Sequence, residues 1–181
     1  MMGQVQRSQT YPLFYRMPDG PGHYFGRAAV GRLYGQAFLI MFLMELSSAW
    51  VGKHPGHPFG IGDIAEPTGK PMPDHVSHNY GSAVDLFVIH QLGIKRNDTA
   101  NKVTWKDPGY DSDKTGDLIA LIAELSEKCR LQQFLYNDPE LQKLKKNWPP
   151  IQTHAGHDEH IHLTFTGKHS FPKAQMDSIF N

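Results

Sequence analysis

Four imidazoles crowd into nine residues of this chain: His154, His157, His160 and His162, within the stretch HAGHDEHIHLTF that spans residues 154 to 165. The run is interrupted and internal, unlike a purification tag. Side chains two apart on a strand share a face, so His160, His162 and Thr164 point one way while Ile161, Leu163 and Phe165 point into a core. Two such imidazoles start about 6.7 Å apart at Cα. Both can approach one ion, or one can bind it while the other works beside it. A second cluster stands upstream in DHVSHNYGSAVDLF, with His75, His78 and, seven residues beyond His78, Asp85. Asp85 sits among Ala83, Val84, Leu86 and Phe87 with no Lys or Arg nearby in sequence. A buried carboxylate costs several kcal/mol unless it is paired or coordinates a metal, and a metal is the economical partner. Two histidines and a carboxylate suit catalytic zinc with an open position for water; non-haem iron is the alternative for the same set.

These residues need elements to hold them. AVDLFVI, residues 83 to 89, is apolar on both faces and predicts a central strand. HIHLTFT and LQQFLYN predict two more strands. DLIALIAELSEKC predicts an amphipathic helix ending near Cys129, and DPELQKLKK a helix with Asp138 as N-cap and Pro139 at its first position. AFLIMFLM, residues 37 to 44, is too short to span a bilayer, which takes roughly 20 apolar residues, and predicts a buried helix over residues 36 to 50. Residues 52 to 75 hold five glycines and five prolines, the density of a long ordered loop. Residues 93 to 112 are polar and turn-rich. Residues 1 to 23 read as an irregular arm on a single domain over residues 24 to 181, within one α+β unit whose small antiparallel central sheet carries the site between helices and long ordered loops.

Composition narrows the chemistry. Eighteen basic residues balance eighteen acidic ones, so no global field draws the chain to nucleic acid or an anionic membrane. The lone Cys129 cannot form an internal disulfide, and its expected place at a helix end argues against a nucleophile. No export signal of the Sec type is expected, because the apolar run lies too deep in the chain.

The stretch GDIAEPTGKPMPDHVSHNYGSAVD, residues 62 to 85, followed by HDEHIHL, residues 157 to 163, resembles the penicillin-insensitive murein endopeptidases. They belong to the wider group of lysostaphin-type, D-Ala-D-Ala and hedgehog-like zinc peptidases. His75, His78, Asp85, His157, His160 and His162 all stand at the family's spacings, and the Tyr34–Gly35 pair also agrees. The resemblance runs from about residue 24 to residue 166. It implies Zn2+ held by His78, Asp85 and His162, with His160 as general base. It also implies His157 and His75 as groups facing the substrate, holding the scissile carbonyl or its oxyanion. Tyr80, two residues after His78, sits where a substrate could pass. The implied reaction is hydrolysis of D-alanyl-to-diaminopimelate cross-links between peptidoglycan stem peptides. Other readings on the same scaffold are a non-catalytic zinc-containing binding module, a D-Ala-D-Ala carboxypeptidase, an amidase and a phage lysin. The chain departs from the family in its single cysteine, in Ala83 where a second acidic residue can stand, and in the expected lack of a signal. With no signal, the expected route to the wall is delivery as an antibacterial effector, with a secretion-system component and a cognate immunity protein as partners.

Overall fold

The computed structural model describes residues 3–4, 6–7, 14–26, 31–73, 77–96, 100–143 and 150–180. His75 and Trp148 lie outside them. The strands are β1 (Gln6–Arg7), β2 (Phe14–Arg16), β3 (His23–Phe25), β4 (Tyr34–Gln36), β5 (Phe59–Ile61), β6 (Ala83–Phe87), β7 (Cys129–Leu135), β8 (Ile151–Gln152) and β9 (His160–His169). The helices are α1 (Ala37–Lys53), α2 (Ser112–Leu125), α3 (Pro139–Lys143) and α4 (Lys173–Phe180).

β6 is buried at all five positions, which places it inside a sheet. That sheet has six strands in the order β3-β5-β6-β9-β7-β8. Its centre, β5-β6-β9-β7, is antiparallel, and parallel pairs β3/β5 and β7/β8 close its two edges. A separate small sheet, β1-β2-β4, forms where the N-terminal segment doubles back on Tyr34–Gln36. Within residues 1 to 23, Gln6–Arg7 and Phe14–Arg16 are paired strands, and His23 opens β3. The architecture is α+β.

Helix α1 is apolar around most of its circumference, as a helix enclosed by other elements must be. Phe38 through Leu43, Leu46 and Trp50 are all buried, and the Trp50 indole donates to the His57 carbonyl at 2.6 Å. α2 starts with the Asp111 side chain accepting from the Lys114 amide at 2.9 Å. α3 starts as its sequence demands: Asp138 accepts from the Glu140 amide at 2.9 Å. Two details differ from the sequence reading. The loop over residues 52 to 75 contains β5, whose buried Phe59 and Ile61 supply the apolar anchors that strand needs. Cys129 opens β7 instead of closing a helix, because α2 ends at Leu125 and a single 3-10 turn follows.

Candidate metal centre

The pairing of β6 with β9 brings the two halves of the site together. Asp85 lies directly opposite His162, Phe87 opposite His160 and Ala83 opposite Thr164. The alternate residues Val84, Leu86, Ile161 and Leu163 fill the core on the other face. His78 reaches the same point from a 3-10 turn, His78–Tyr80, which is secured from two sides. Gln36 donates to the Tyr80 carbonyl at 2.7 Å, and Asn79 accepts from the Met72 amide at 2.9 Å. Gly81 ends the turn at φ 60°, and a Cβ there would stand 2.8 Å from the Phe14 ring, so both geometry and space require glycine.

His78, Asp85 and His162 are all buried, and one donor atom from each lies within 4.8 Å of the others. His162 Nδ1 is 2.8 Å from Asp85 Oδ1, and His78 Nε2 is 3.3 Å from the same oxygen. A tetrahedron with arms of about 2.0–2.1 Å has edges of about 3.3–3.4 Å, so these donors converge on the scale of one zinc ion. The outer ring nitrogens are engaged as ligand histidines require. His78 Nδ1–H donates to the Ile64 carbonyl at 2.9 Å, which leaves the Nε2 lone pair toward Asp85. His162 Nε2 lies 3.0 Å from Thr164 Oγ1 and 3.2 Å from Ser77 Oγ, either of which can accept its proton once Nδ1 is given to a metal. The cluster can therefore bind a metal, and its N/N/O donors fit a divalent ion of the zinc type.

Electrostatics support that arrangement. Without a metal, burial works against an ionised Asp85, yet hydrogen bonds from His162 Nδ1 and His78 Nε2, the atoms a metal would take over, hold its carboxyl well below the usual carboxylate range. Burial also disfavours a charged His78, but the Asp85 carboxylate outweighs it and raises the imidazole above its ordinary value. A dication would replace that proton.

His160 stands beside the cluster with Nε2 3.8 Å from Asp85 Oδ1, and burial pushes its pKa down to about 4. The His157 ring is 4.8 Å from that of His160 and 5.8 Å from that of His162, and burial lowers its pKa too. His157 Nδ1–H donates to the Ala155 carbonyl at 3.1 Å, so Nε2 remains for the cleft. His154, which the sequence left without a role, lines the same cleft from its exposed side. Tyr80 is 72% exposed and lies at a neighbouring rim, away from the donor cluster.

Sequence reasoning did not find what holds the histidine turn. The two acidic residues between His157 and His160 are its anchors. Asp158 accepts from Asn137 at 2.7 Å, from Lys106 at 2.6 Å and from the Trp105 indole at 3.3 Å. Glu159 pairs with the buried Arg96 at 2.9 Å, whose guanidinium lies 3.9 Å from the centre of the Phe87 ring. The polar excursion over residues 93 to 112 thus supplies Arg96, Trp105 and Lys106 to the turn. The available signal was the DE pair itself, which has no reason to sit beside a metal ligand unless cations meet it. Gly62 was a second omission. Its amide donates to the Asp85 carbonyl at 2.8 Å, and a Cβ there would lie 3.2 Å from that of Asp85.

No curated protein matches the chain significantly. A family model described as penicillin-insensitive murein endopeptidase matches residues 15–134. That span contains His78 and Asp85, while His157, His160 and His162 lie beyond it; the β6–β9 register sets His162 and His160 opposite Asp85 and Phe87. A match over well over half of the residues shows the family, and the chain belongs to the penicillin-insensitive murein endopeptidases, peptidases that act on the peptidoglycan of the cell wall.

Proposed function

We propose that this chain is a zinc-dependent endopeptidase that hydrolyses D-alanyl-to-diaminopimelate cross-links between peptidoglycan stem peptides in the periplasm. The observation that carries this reading is the convergence of His78, Asp85 and His162 donors, with His160 Nε2 3.8 Å from Asp85 Oδ1 beside them. His78, Asp85 and His162 hold the ion in this account. Zinc bound there supplies a Lewis acid for the scissile carbonyl and lowers the pKa of the attacking water. His160 is neutral at neutral pH because burial has lowered its pKa, so its lone pair can take the proton of that water and pass it to the leaving amine. His157 presents Nε2 to the substrate at the scissile carbonyl. His75 and Tyr80 contact the stem on the way in. No helix among the described residues is long and apolar enough to cross a membrane.

The presence of His160 and His157 favours an enzyme over a zinc-stabilised binding module, since a structural site needs no base. Purified sacculi treated with the zinc-loaded protein, with chelated protein and with His160→Ala or His162→Ala variants distinguish the two. The reading expects cross-linked dimers to fall and monomers to rise with the wild type only. Zinc binding with no change in any muropeptide would leave a binding module.

A further inference from the structure

The cleft around His78, Asp85, His157, His160 and His162 encloses about 470 Å3, and a second hollow of about 480 Å3 adjoins it. Ser77 and Gln133 line both spaces and form the passage between them. Beyond them the second hollow is bounded by Tyr80, Ser82, Gln132, Gln152 and Thr164, with Phe165 beneath. Three side-chain amides and several hydroxyls therefore face one space, and none of its described lining residues carries a charge.

The backbone explains why they gather. Leu131 pairs with Phe165 but Gln133 pairs with Thr164, so β7 holds one extra residue against β9 at Gln132. Such a bulge re-aims side chains, and here Gln132 and Gln133 enter the same hollow. The parallel pairing of Leu135 with Gln152 brings the third amide alongside. Their hydrogen-bonding capacity is largely available. Gln133 Oε1 accepts only a long bond from Thr164 Oγ1 at 3.5 Å, and neither Gln132 nor Gln152 makes a side-chain hydrogen bond among the described residues. A primary amide carries two donors and an acceptor, the complement of a peptide or carboxamide group.

We propose that this hollow is a substrate subsite for an uncharged, amide-bearing segment of the stem peptide. It makes the enzyme favour stems whose side carboxyl is amidated over stems whose carboxyl is free. The inference rests on the endopeptidase reading and adds to it a specificity. A free carboxylate entering the hollow gives up water and meets no cation among the described lining residues, while a carboxamide finds both donors and acceptors.

The test compares two cross-linked muropeptide dimers that differ only in a free or amidated diaminopimelate carboxyl. The expected kcat/KM ratio for wild type favours the amidated dimer by roughly three- to fivefold, the scale of one partly exposed charge. Gln132→Lys and Gln152→Lys should each move the ratio toward the free acid. Calorimetric binding of both dimers to zinc-loaded His160→Ala protein reads the same preference without turnover. Equal cleavage of the two dimers, with no shift in either lysine variant, overturns the subsite and leaves the endopeptidase standing. Tighter binding of the amidated dimer with no cleavage by wild type overturns the endopeptidase and leaves the subsite. Binding of neither dimer overturns both.

Discussion

His160 and His162 are two residues apart, yet their environments differ. His162 Nδ1 faces Asp85 at 2.8 Å and its other nitrogen is bound to Thr164, whereas His160 stands 3.8 Å from the same carboxylate with its pKa lowered by burial to about 4. Replacing His160 with alanine should lower kcat/KM by about 10²–10⁴-fold with zinc stoichiometry unchanged, the usual contribution of a general base. Thr164→Val removes the acceptor that fixes the His162 tautomer, and zinc affinity measured by chelator competition should weaken about 10–100-fold. The pH dependence follows from His78. Asp85 raises its pKa in the metal-free protein, and the imidazole must be neutral to bind a metal, so protons compete with zinc as pH falls. His160 stays neutral until pH nears its own pKa of about 4, so the acid limb of activity should move to lower pH when zinc is increased. A limb indifferent to zinc would assign the loss to another group.

At the scale of elements, the ligands and the histidine turn have separate supports. The ligands ride on β6, β9 and the 3-10 turn, while residues 154 to 159 are held by Asn137, Trp105, Lys106 and Arg96. Asp158→Ala should therefore reduce kcat about tenfold or more by misplacing His157 and His160, while zinc affinity changes little. Loss of zinc in that variant would show that the turn also builds the donor cluster. The same division explains what the sequence disclosed. The alternation in HIHLTFT and the all-apolar AVDLF each predicted a strand, and a carboxylate inside the second demanded a partner. Their mutual register was not legible, because pairing between segments more than seventy residues apart leaves no local pattern. β5 was hidden for a related reason: glycines and prolines crowd its three residues, and pairing with both β3 and β6 makes them a strand. The bulge at Gln132 is likewise a property of two strands together.

At the scale of the whole molecule, one buried histidine far from the cleft ties stability to pH. His23 is 5% exposed, with Nδ1 2.8 Å from Ser47 Oγ and Nε2 3.1 Å from the Pro18 carbonyl, and burial lowers its pKa to about 4. A folded value below the unfolded 6.5 favours folding fully above pH 6.5 and loses that contribution as pH falls toward 4. The loss is on the order of 3 kcal/mol. Urea unfolding of the metal-free protein at pH 7 and pH 4.5 should show a smaller difference for His23→Gln than for wild type; equal differences would remove His23 from the acid response. The β6–β9 pairing fixes one short register, Asp85 opposite His162, at the floor of the cleft. The most direct measurement of what that register does is cleavage of a purified D-alanyl-to-diaminopimelate dimer by the zinc-loaded protein in ¹⁸O-labelled water, read by mass spectrometry. The account predicts one label in the new D-alanine carboxyl and a free diaminopimelate amine; an intact dimer, or label at any other bond, would contradict it.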